Sequence, residues 1–402
     1  MSERPLRIGF LTSEYPTEGL SGGIGSYVRQ MAYSLSDLGH SVFVLLWSAR
    51  PQAPTRDGPV TVCRVGVSGL ASHLPQPLGR SASLRFARHL ASLARELKLD
   101  LFEAPEFFGV TAFLHDVKPR AVPVVVRLHT CFSIVRAINK GYPTSIRHRL
   151  RDRLVYWLER RAVMEADSVT AVSGPTVDLT RKVLRLQRDD FYVIPNPVND
   201  LFFSPAATES NSGDPVILFV GRLEWLKGPE LLVKALPHIV SGHPNVRLHL
   251  VGRDTDTGPG GTSMLSYLSS LVPEPLRDRV AFLGCLSPEQ LVKAYHQAAV
   301  CVFPSRWEGF GLVCAEAMAC GRPVVVSDTP AFREIVSHGT TGLVAKGEDP
   351  DAFASAVDTL LCDSGLRARL GASARHVALE RFQGSKVAES TLRIYHKALA
   401  SA

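Results

Sequence analysis

Two doubly wound, Rossmann-like α/β domains are predicted for the 402-residue chain, on three observations. Short apolar runs that read as buried strands alternate with helical stretches in both halves, the pattern of parallel sheets crossed over by helices. In the second half these runs are followed by Gly, Pro, Asp or Ser, the small and polar residues of a binding rim at the carboxyl edge of a sheet. Between the halves, Asn196–Pro215 (NPVNDLFFSPAATESNSGDP) is rich in Asn, Pro, Ser and Gly and reads as a connection. The length suits two or three domains, each with its own core.

The first half opens with an apolar strand, Arg7–Thr12, a Gly- and Ser-rich loop over 13–25 and an amphipathic helical run, Ser26–Leu38, stopped by Gly39-His40 before a second strand, Val42–Trp47. The loop reads GLSGGIGSYV. Its glycines are not in the spaced Gly-x-Gly-x-x-Gly register, because Gly22 and Gly23 adjoin and Gly25 follows at once. Two readings stand for it: Gly23 lets the backbone approach a phosphate or sugar, or the glycines relieve a tight turn. Further strands are expected at Val60–Val67, Leu101–Glu103, Val122–Leu128, Ser168–Val172 and Phe191–Ile194, and helices at Ser81–Leu97 and Ile146–Ala166. His129 follows directly on a strand, either as a hydrogen-bonded loop residue or as a functional one. The arginines at 147, 149, 151 and 153 alternate, so on a helix they spread around the circumference. That favours a solvated helix over a basic stripe for an anionic membrane.

In the second half strands are expected at Val216–Val220, Val246–Val251, Val280–Leu283, Val300–Phe303 and Val324–Ser327. The most informative stretch is Pro304–Gly321 (PSRWEGFGLVCAEAMACG), a loop and helix after a strand that set Glu308 and Glu316 eight positions apart across a glycine-bracketed turn. A helix N-terminus at such an edge favours phosphate. Arg222 and Lys227 stand in another strand-to-helix loop, ahead of a helix starting at Pro229, and offer a planar fork and a point charge to a diphosphate. Glu316 can accept from two vicinal hydroxyls, as carboxylates do with ribose. Glu308 can meet sugar hydroxyls beside the N–H groups of Gly309, Phe310 and Gly311. The two acids could instead form a glycosidase pair, but that chemistry has no use for an Arg/Lys phosphate clamp. Asp254-Thr255-Asp256 has the form of a metal-holding pair but lies in a Gly-rich loop.

No apolar run approaches the roughly 20 residues that span a bilayer, and the first residues, MSERPLRIGFLTSEYP, lack the ordered regions of a signal peptide, so a cytoplasmic location is expected. The seven cysteines are scattered without a Cys-x-x-Cys pair, which suggests neither a zinc site nor a disulfide framework. The net charge of +7 comes from residues 1–200, with 26 Lys or Arg against 18 Asp or Glu; residues 201–402 carry 19 against 20. A basic first half suits a solvated face or an anionic partner.

Glu308-x7-Glu316 together with Gly221-Arg222-x4-Lys227-Gly228 resembles the retaining glycosyltransferases of the GT-B fold, family 4 (glycosyltransferase group 1). The likeness also takes in the SGGIGSYV loop, His129, and the VSGPT and IPNPV segments, and covers nearly the whole chain. It implies an acceptor-binding domain over 1–198, a linker over 199–215, a nucleotide-sugar-binding domain over 216–384 and a last helix, 385–402, packing back on the first domain, with the two domains facing across a cleft. It implies that Arg222 and Lys227 neutralise the diphosphate leaving group, that Glu316 binds ribose and that Glu308 contacts the donor sugar. Gly309, Phe310, Gly311 and Leu312 would line the donor, Gly23 would meet its phosphate side through backbone, and His129 would sit near the sugar.

The expected activity is transfer of a hexose or N-acetylhexosamine from a nucleoside diphosphate sugar, UDP favoured and GDP open, to an acceptor hydroxyl of a lipid, glycan or small molecule. It would proceed with retention and with no bound metal or other cofactor. Epimerisation or hydrolysis of the nucleotide sugar, or binding without catalysis, are the alternatives. A nucleic-acid partner is not expected; peripheral association with the inner membrane face and a homodimer are compatible with the chain.

Overall fold

In the computed structural model, residues 4–18, 22–48, 52–66, 80–117, 122–138, 146–205 and 213–401 are described. Part of the glycine loop (19–21) and part of the expected linker (206–212) lie outside them. The chain divides into two compact units, one comprising 1–197 with 384–402 and the other 198–383.

The strands of the first unit are β1 (Arg7–Thr12), β2 (Ser41–Ser48), β3 (Gln52–Asp57), β4 (Val60–Gly66), β5 (Leu101–Pro105), β6 (Val124–Leu128), β7 (Ser168–Ala171) and β8 (Phe191–Val193). Its helices are α1 (Gly23–Asp37), α2 (Arg80–Glu96), α3 (Phe132–Ile138), α4 (Ile146–Glu165) and α5 (Gly174–Leu184). The strands form one sheet in the order β3-β4-β2-β1-β5-β6-β7-β8, parallel except for β3. The order reverses between β1 and β5, which pair directly. Such a switch point opens a crevice at the carboxyl ends of the strands. One core face holds Phe86 and Leu90 of α2, Leu158 and Val163 of α4, and Leu184 of α5. The other holds Tyr27, Met31 and Leu35 of α1 with Val387, Tyr395 and Ala398 of the last helix of the chain.

That last helix is tied into the first unit by polar groups as well. The hydroxyls of Tyr27 and Tyr395 both donate to the buried carboxylate of Glu103, at 2.6 and 2.7 Å. Arg127 on β6, fully buried, lies over the Tyr27 ring at 4.2 Å and donates to the carbonyls of Ile194 and Pro195 and to Asn196 Oδ1.

The second unit has strands β9 (Val216–Val220), β10 (Arg247–Val251), β11 (Val280–Gly284), β12 (Ala298–Phe303), β13 (Val324–Ser327) and β14 (Leu343–Ala345). Its helices are α6 (Pro229–Gly242), α7 (Met264–Leu271), α8 (Pro288–Gln297), α9 (Leu312–Ala319), α10 (Pro330–Ile335), α11 (Pro350–Cys362) and α12 (Ser364–Arg381), and the last helix of the chain becomes α13 (Gly384–Ala400). The sheet runs β11-β10-β9-β12-β13-β14, parallel throughout, with its switch point between β9 and β12. Within the expected linker, Asp200–Phe203 forms a 3₁₀ turn that belongs to this unit, with Phe202 buried edge-on to Tyr295. Apolar side chains there found a core, and composition alone does not register that.

Among the described residues no helix is long and apolar enough to cross a membrane.

Candidate functional site

The switch point of the second unit explains why residues far apart in sequence meet. The loops leaving β9 and β12 are neighbours because their strands pair, so Lys227 and Glu308 face one another across the crevice. Lys227 Nζ stands 2.8 Å from Glu308 Oε1, and Ser305 Oγ donates to the same oxygen at 2.8 Å. Glu308 is buried and its cation partner largely so, hence the pair is screened little by solvent. Arg222 is different. It is more than half exposed and pairs with Glu224 at 2.9 Å, so its guanidinium can be shared with an incoming anion.

The backbone of this loop is fixed by close approach. Gly228, at φ +65°, turns the chain into α6, and a Cβ there would lie 2.2 Å from the Pro304 carbonyl oxygen, so the two loops touch backbone to backbone. Arg306 then ties them together. Its Nη1 donates to the Trp225 carbonyl at 2.7 Å, its Nη2 pairs with buried Glu230 at 2.6 Å, and its guanidinium lies over the Trp225 ring.

The α9 helix starts at Leu312 behind Gly311, whose φ of +94° and lack of room for a Cβ beside Phe332 require glycine. No side chain caps this N-terminus, and no acidic residue occupies its first turn. Its leading N–H groups therefore retain their attraction for an anion. The Phe310 ring points into the core against Phe382, so only the backbone of Phe310 can serve a ligand; Gly309 and Leu312 are half-buried beside it. One turn into α9, Glu316 receives the Tyr295 hydroxyl at 3.2 Å, and burial pushes its carboxyl up to about 8. The acid pair thus splits chemically: Glu308 is held by a cation, whereas burial raises the Glu316 carboxyl to about 8. Asp254 is used differently, since it accepts from Ser263 Oγ at 2.6 Å and from the N–H groups of Thr255 and Leu265, tying its loop to the start of α7.

In the first unit the switch-point edge carries Gly23 and, one strand further on, His129. Gly23 is the first residue of α1, three residues earlier than the periodicity placed the helix start, because the glycine pair itself enters the helix. A Cβ on Gly23 would meet nothing within 4 Å, so no protein contact requires glycine there. The His129 ring is partly buried and edge-on to Tyr27 at 4.9 Å, and burial together with Arg127 holds its imidazole well below the usual range, hence neutral.

Two buried carboxylates, singled out by no motif, build the loop around His129. Glu106, at the end of β5, accepts the N–H of His129 at 3.0 Å and of Thr130 at 2.9 Å. Glu159 on α4 accepts the N–H groups of Phe108, Phe132 and Ser133 and the Ser133 hydroxyl, at 2.6–3.1 Å. Burial pushes Glu106 up to about 8, opposed by those N–H bonds and reinforced by Glu159, which burial raises as well. Phe108 is held at φ +58°, a strained value for a bulky side chain. The one sequence signal for these residues is an acid inside apolar surroundings: LFEAPEFFG for Glu106, and Leu158 and Ala162 around Glu159.

Residues 202–377 match the family described as glycosyl transferases group 1, and residues 21–200 match glycosyltransferase family 4. Two D-inositol 3-phosphate glycosyltransferases are similar along nearly their whole length. That of Corynebacterium jeikeium is 39% identical over 96% of this chain and 94% of its own. That of Acidothermus cellulolyticus is 31% identical over 96% and 88%. Among solved structures, sucrose-phosphate synthase from Thermosynechococcus elongatus superposes with a TM-score of 0.81 at 24% identity, covering 99% of this chain and all of that one. Anabaena HepE in complex with UDP and glucose gives 0.72 at 20% identity, covering 97% and 99%. These likenesses place the fold among the GT-B proteins, and with full-length relatives above 30% identity the chain belongs to the group 1 (family 4) glycosyltransferases and is a glycosyl-transferring enzyme.

Proposed function

We propose that the second unit binds a nucleoside diphosphate sugar, with UDP as the favoured nucleotide, and that the enzyme transfers its hexose or N-acetylhexosamine to an acceptor hydroxyl with retention of anomeric configuration. The observation that carries this reading is the convergence of Arg222, Lys227 and the uncapped α9 N-terminus on one switch-point edge, beside Glu308 and Glu316. Departure of the diphosphate is the hard step, and two cations with oriented N–H groups stabilise the charge that develops on it. This supports a metal-independent reaction, as does the engagement of Asp254 with Ser263 and the α7 backbone. Glu316 is suited to the ribose hydroxyls. Both donors to Glu308 meet Oε1, which leaves Oε2 for a sugar hydroxyl. An ion-paired Glu308 is a poor covalent nucleophile, because its charge is already engaged. The UDP and UDP-glucose held by Anabaena HepE support the nucleotide and a hexose.

The first unit would bind the acceptor, with neutral His129 near the transferred sugar. The names of the Corynebacterium and Acidothermus relatives point to a phosphorylated cyclitol as the first acceptor to try. The test is sugar transfer by purified protein from UDP-, GDP- and ADP-sugars to inositol phosphates and simple alcohols, with the anomer of the product determined and with EDTA present. An α-linked product from an α-linked donor, undiminished by EDTA, is the expected result. Free sugar alone would mark a hydrolase, and donor binding without any product would mark a non-catalytic binder.

A further inference from the structure

We infer that His243, Asp358 and Cys362 form a transition-metal site, best suited to Zn²⁺, joining the C-terminal ends of α6 and α11. Asp358 and Cys362 are one helical turn apart on α11 and share a face. His243 is the residue that ends α6, and its Nε2 is directed at them. The three ligand atoms lie close together: Nε2 to Oδ1 of Asp358 at 2.9 Å, Sγ of Cys362 to Nε2 at 3.8 Å, and Sγ to Oδ1 at 3.9 Å. A tetrahedral zinc ion, with Zn–S of about 2.3 Å and Zn–N or Zn–O of about 2.0–2.1 Å, holds its ligand atoms about 3.3–3.6 Å apart. Adjustments of about half an ångström or less convert the observed triangle into one face of that tetrahedron, and a water completes the fourth position.

The electrostatics of the place agree. Cys362 is the last residue of α11 and His243 directly follows the last residue of α6, so two helix C-termini converge on the cluster. Both carry the negative end of the macrodipole, which favours a cation, and at α11 the Arg367 guanidinium already donates to the Leu360 and Leu361 carbonyls. The donor set of imidazole nitrogen, carboxylate oxygen and sulfur discriminates against Mg²⁺ and Ca²⁺, which take oxygen, and suits Zn²⁺ or Co²⁺. Cys362 is exposed and His243 partly so, which gives the ion a path in. On coordination the Cys362 thiol releases its proton to solvent and binds as thiolate, the His243 imidazole binds neutral through Nε2, and the metal stays divalent.

The experiment titrates the metal-free full-length protein with Co²⁺ and with Zn²⁺. One equivalent of Co²⁺ is expected to give the near-ultraviolet thiolate-to-metal absorption, and Zn²⁺ to bleach it and raise Tm. Cys285 is the other exposed cysteine, so Cys285→Ser is the control that keeps the signal. Cys362→Ser, a surface change, is expected to abolish the absorption and the Tm shift while leaving glycosyl transfer intact. His243→Ala and Asp358→Asn are each expected to weaken Zn²⁺ binding by about tenfold or more. Absence of the band in the wild type, its survival in Cys362→Ser, its loss in Cys285→Ser, or unchanged Zn²⁺ affinity in both His243→Ala and Asp358→Asn would each overturn the assignment.

Discussion

The two units use one topology and equip its switch point in opposite ways. In the second, the edge is built from charges: Lys227 on Glu308, Arg222 on Glu224, Arg306 on Glu230 and Glu348. In the first, the edge is built from buried carboxylates that hold backbone N–H groups, with a partly buried, neutral His129 packed edge-on to Tyr27. A site that meets a diphosphate needs cations whose partners can be exchanged for phosphate. A site that positions a hydroxyl near a sugar needs a rigid loop, and a buried carboxylate on several N–H groups supplies rigidity without adding charge to the surface.

Substitutions can break either half of this comparison, and the largest effect is expected at Lys227. If Lys227 stabilises the leaving diphosphate as proposed, Lys227→Ala removes that group and strands a buried Glu308, so kcat should fall by about 10²–10³-fold. Steady-state kinetics check this, and double substitution with Glu308→Gln should restore folding stability without restoring kcat.

Next comes Glu159→Ala, which leaves three backbone N–H groups and a hydroxyl without their acceptor. A loss of about 3 kcal/mol is expected, read as a lower denaturation midpoint, with donor affinity retained in the protein that remains folded.

The pH dependence sharpens the contrast further. Glu106 and Glu316 both rise from 4.5 to about 8 on folding, so the native state binds more protons than the unfolded chain between those values. Their contribution to stability is complete below the unfolded value and is lost as pH rises through about 8, at up to about 1.4 kcal/mol per pH unit for each group. Thermal unfolding from about pH 5 to pH 8 should show the decline, and Glu316→Gln and Glu106→Gln should each flatten it. If ribose hydroxyls donate to Glu316, donor affinity should rise over the same interval and Glu316→Gln should abolish that rise. A fall in affinity would count against this role.

The smallest effect is expected for Arg222→Ala, whose side chain is exposed and already shared: about tenfold in KM for the donor, with stability within about 0.5 kcal/mol of wild type.

The strands that sequence reading locates well are those whose apolar runs are closed by glycine or serine, such as Val216–Val220 and Val324–Ser327, which are observed with those limits. It misses β3, because QAPTRD is polar, exposed and interrupted by proline, as only an edge strand tolerates. It misses β14 because three residues carry no periodicity. In the charged edge, Arg222, Lys227, Glu308 and Glu316 stand out because charge beside glycine is conspicuous in a sequence. Glu106 and Glu159 do not, since their partners are backbone N–H groups that carry no residue identity. The His243 cluster escapes as well: its members come from two helices that only tertiary packing brings together, and no Cys-x-x-Cys pattern marks it.

We propose that the charged edge of the second unit holds the donor while the carboxylate-stitched edge of the first serves the acceptor. Isothermal titration of UDP-sugar into wild type, Lys227→Ala and Glu106→Gln tests it most directly. Donor affinity should fall at least tenfold in Lys227→Ala and stay within about twofold of wild type in Glu106→Gln, even as Glu106→Gln loses transfer activity. Equal loss of donor affinity in the two variants, or none in Lys227→Ala, would contradict it.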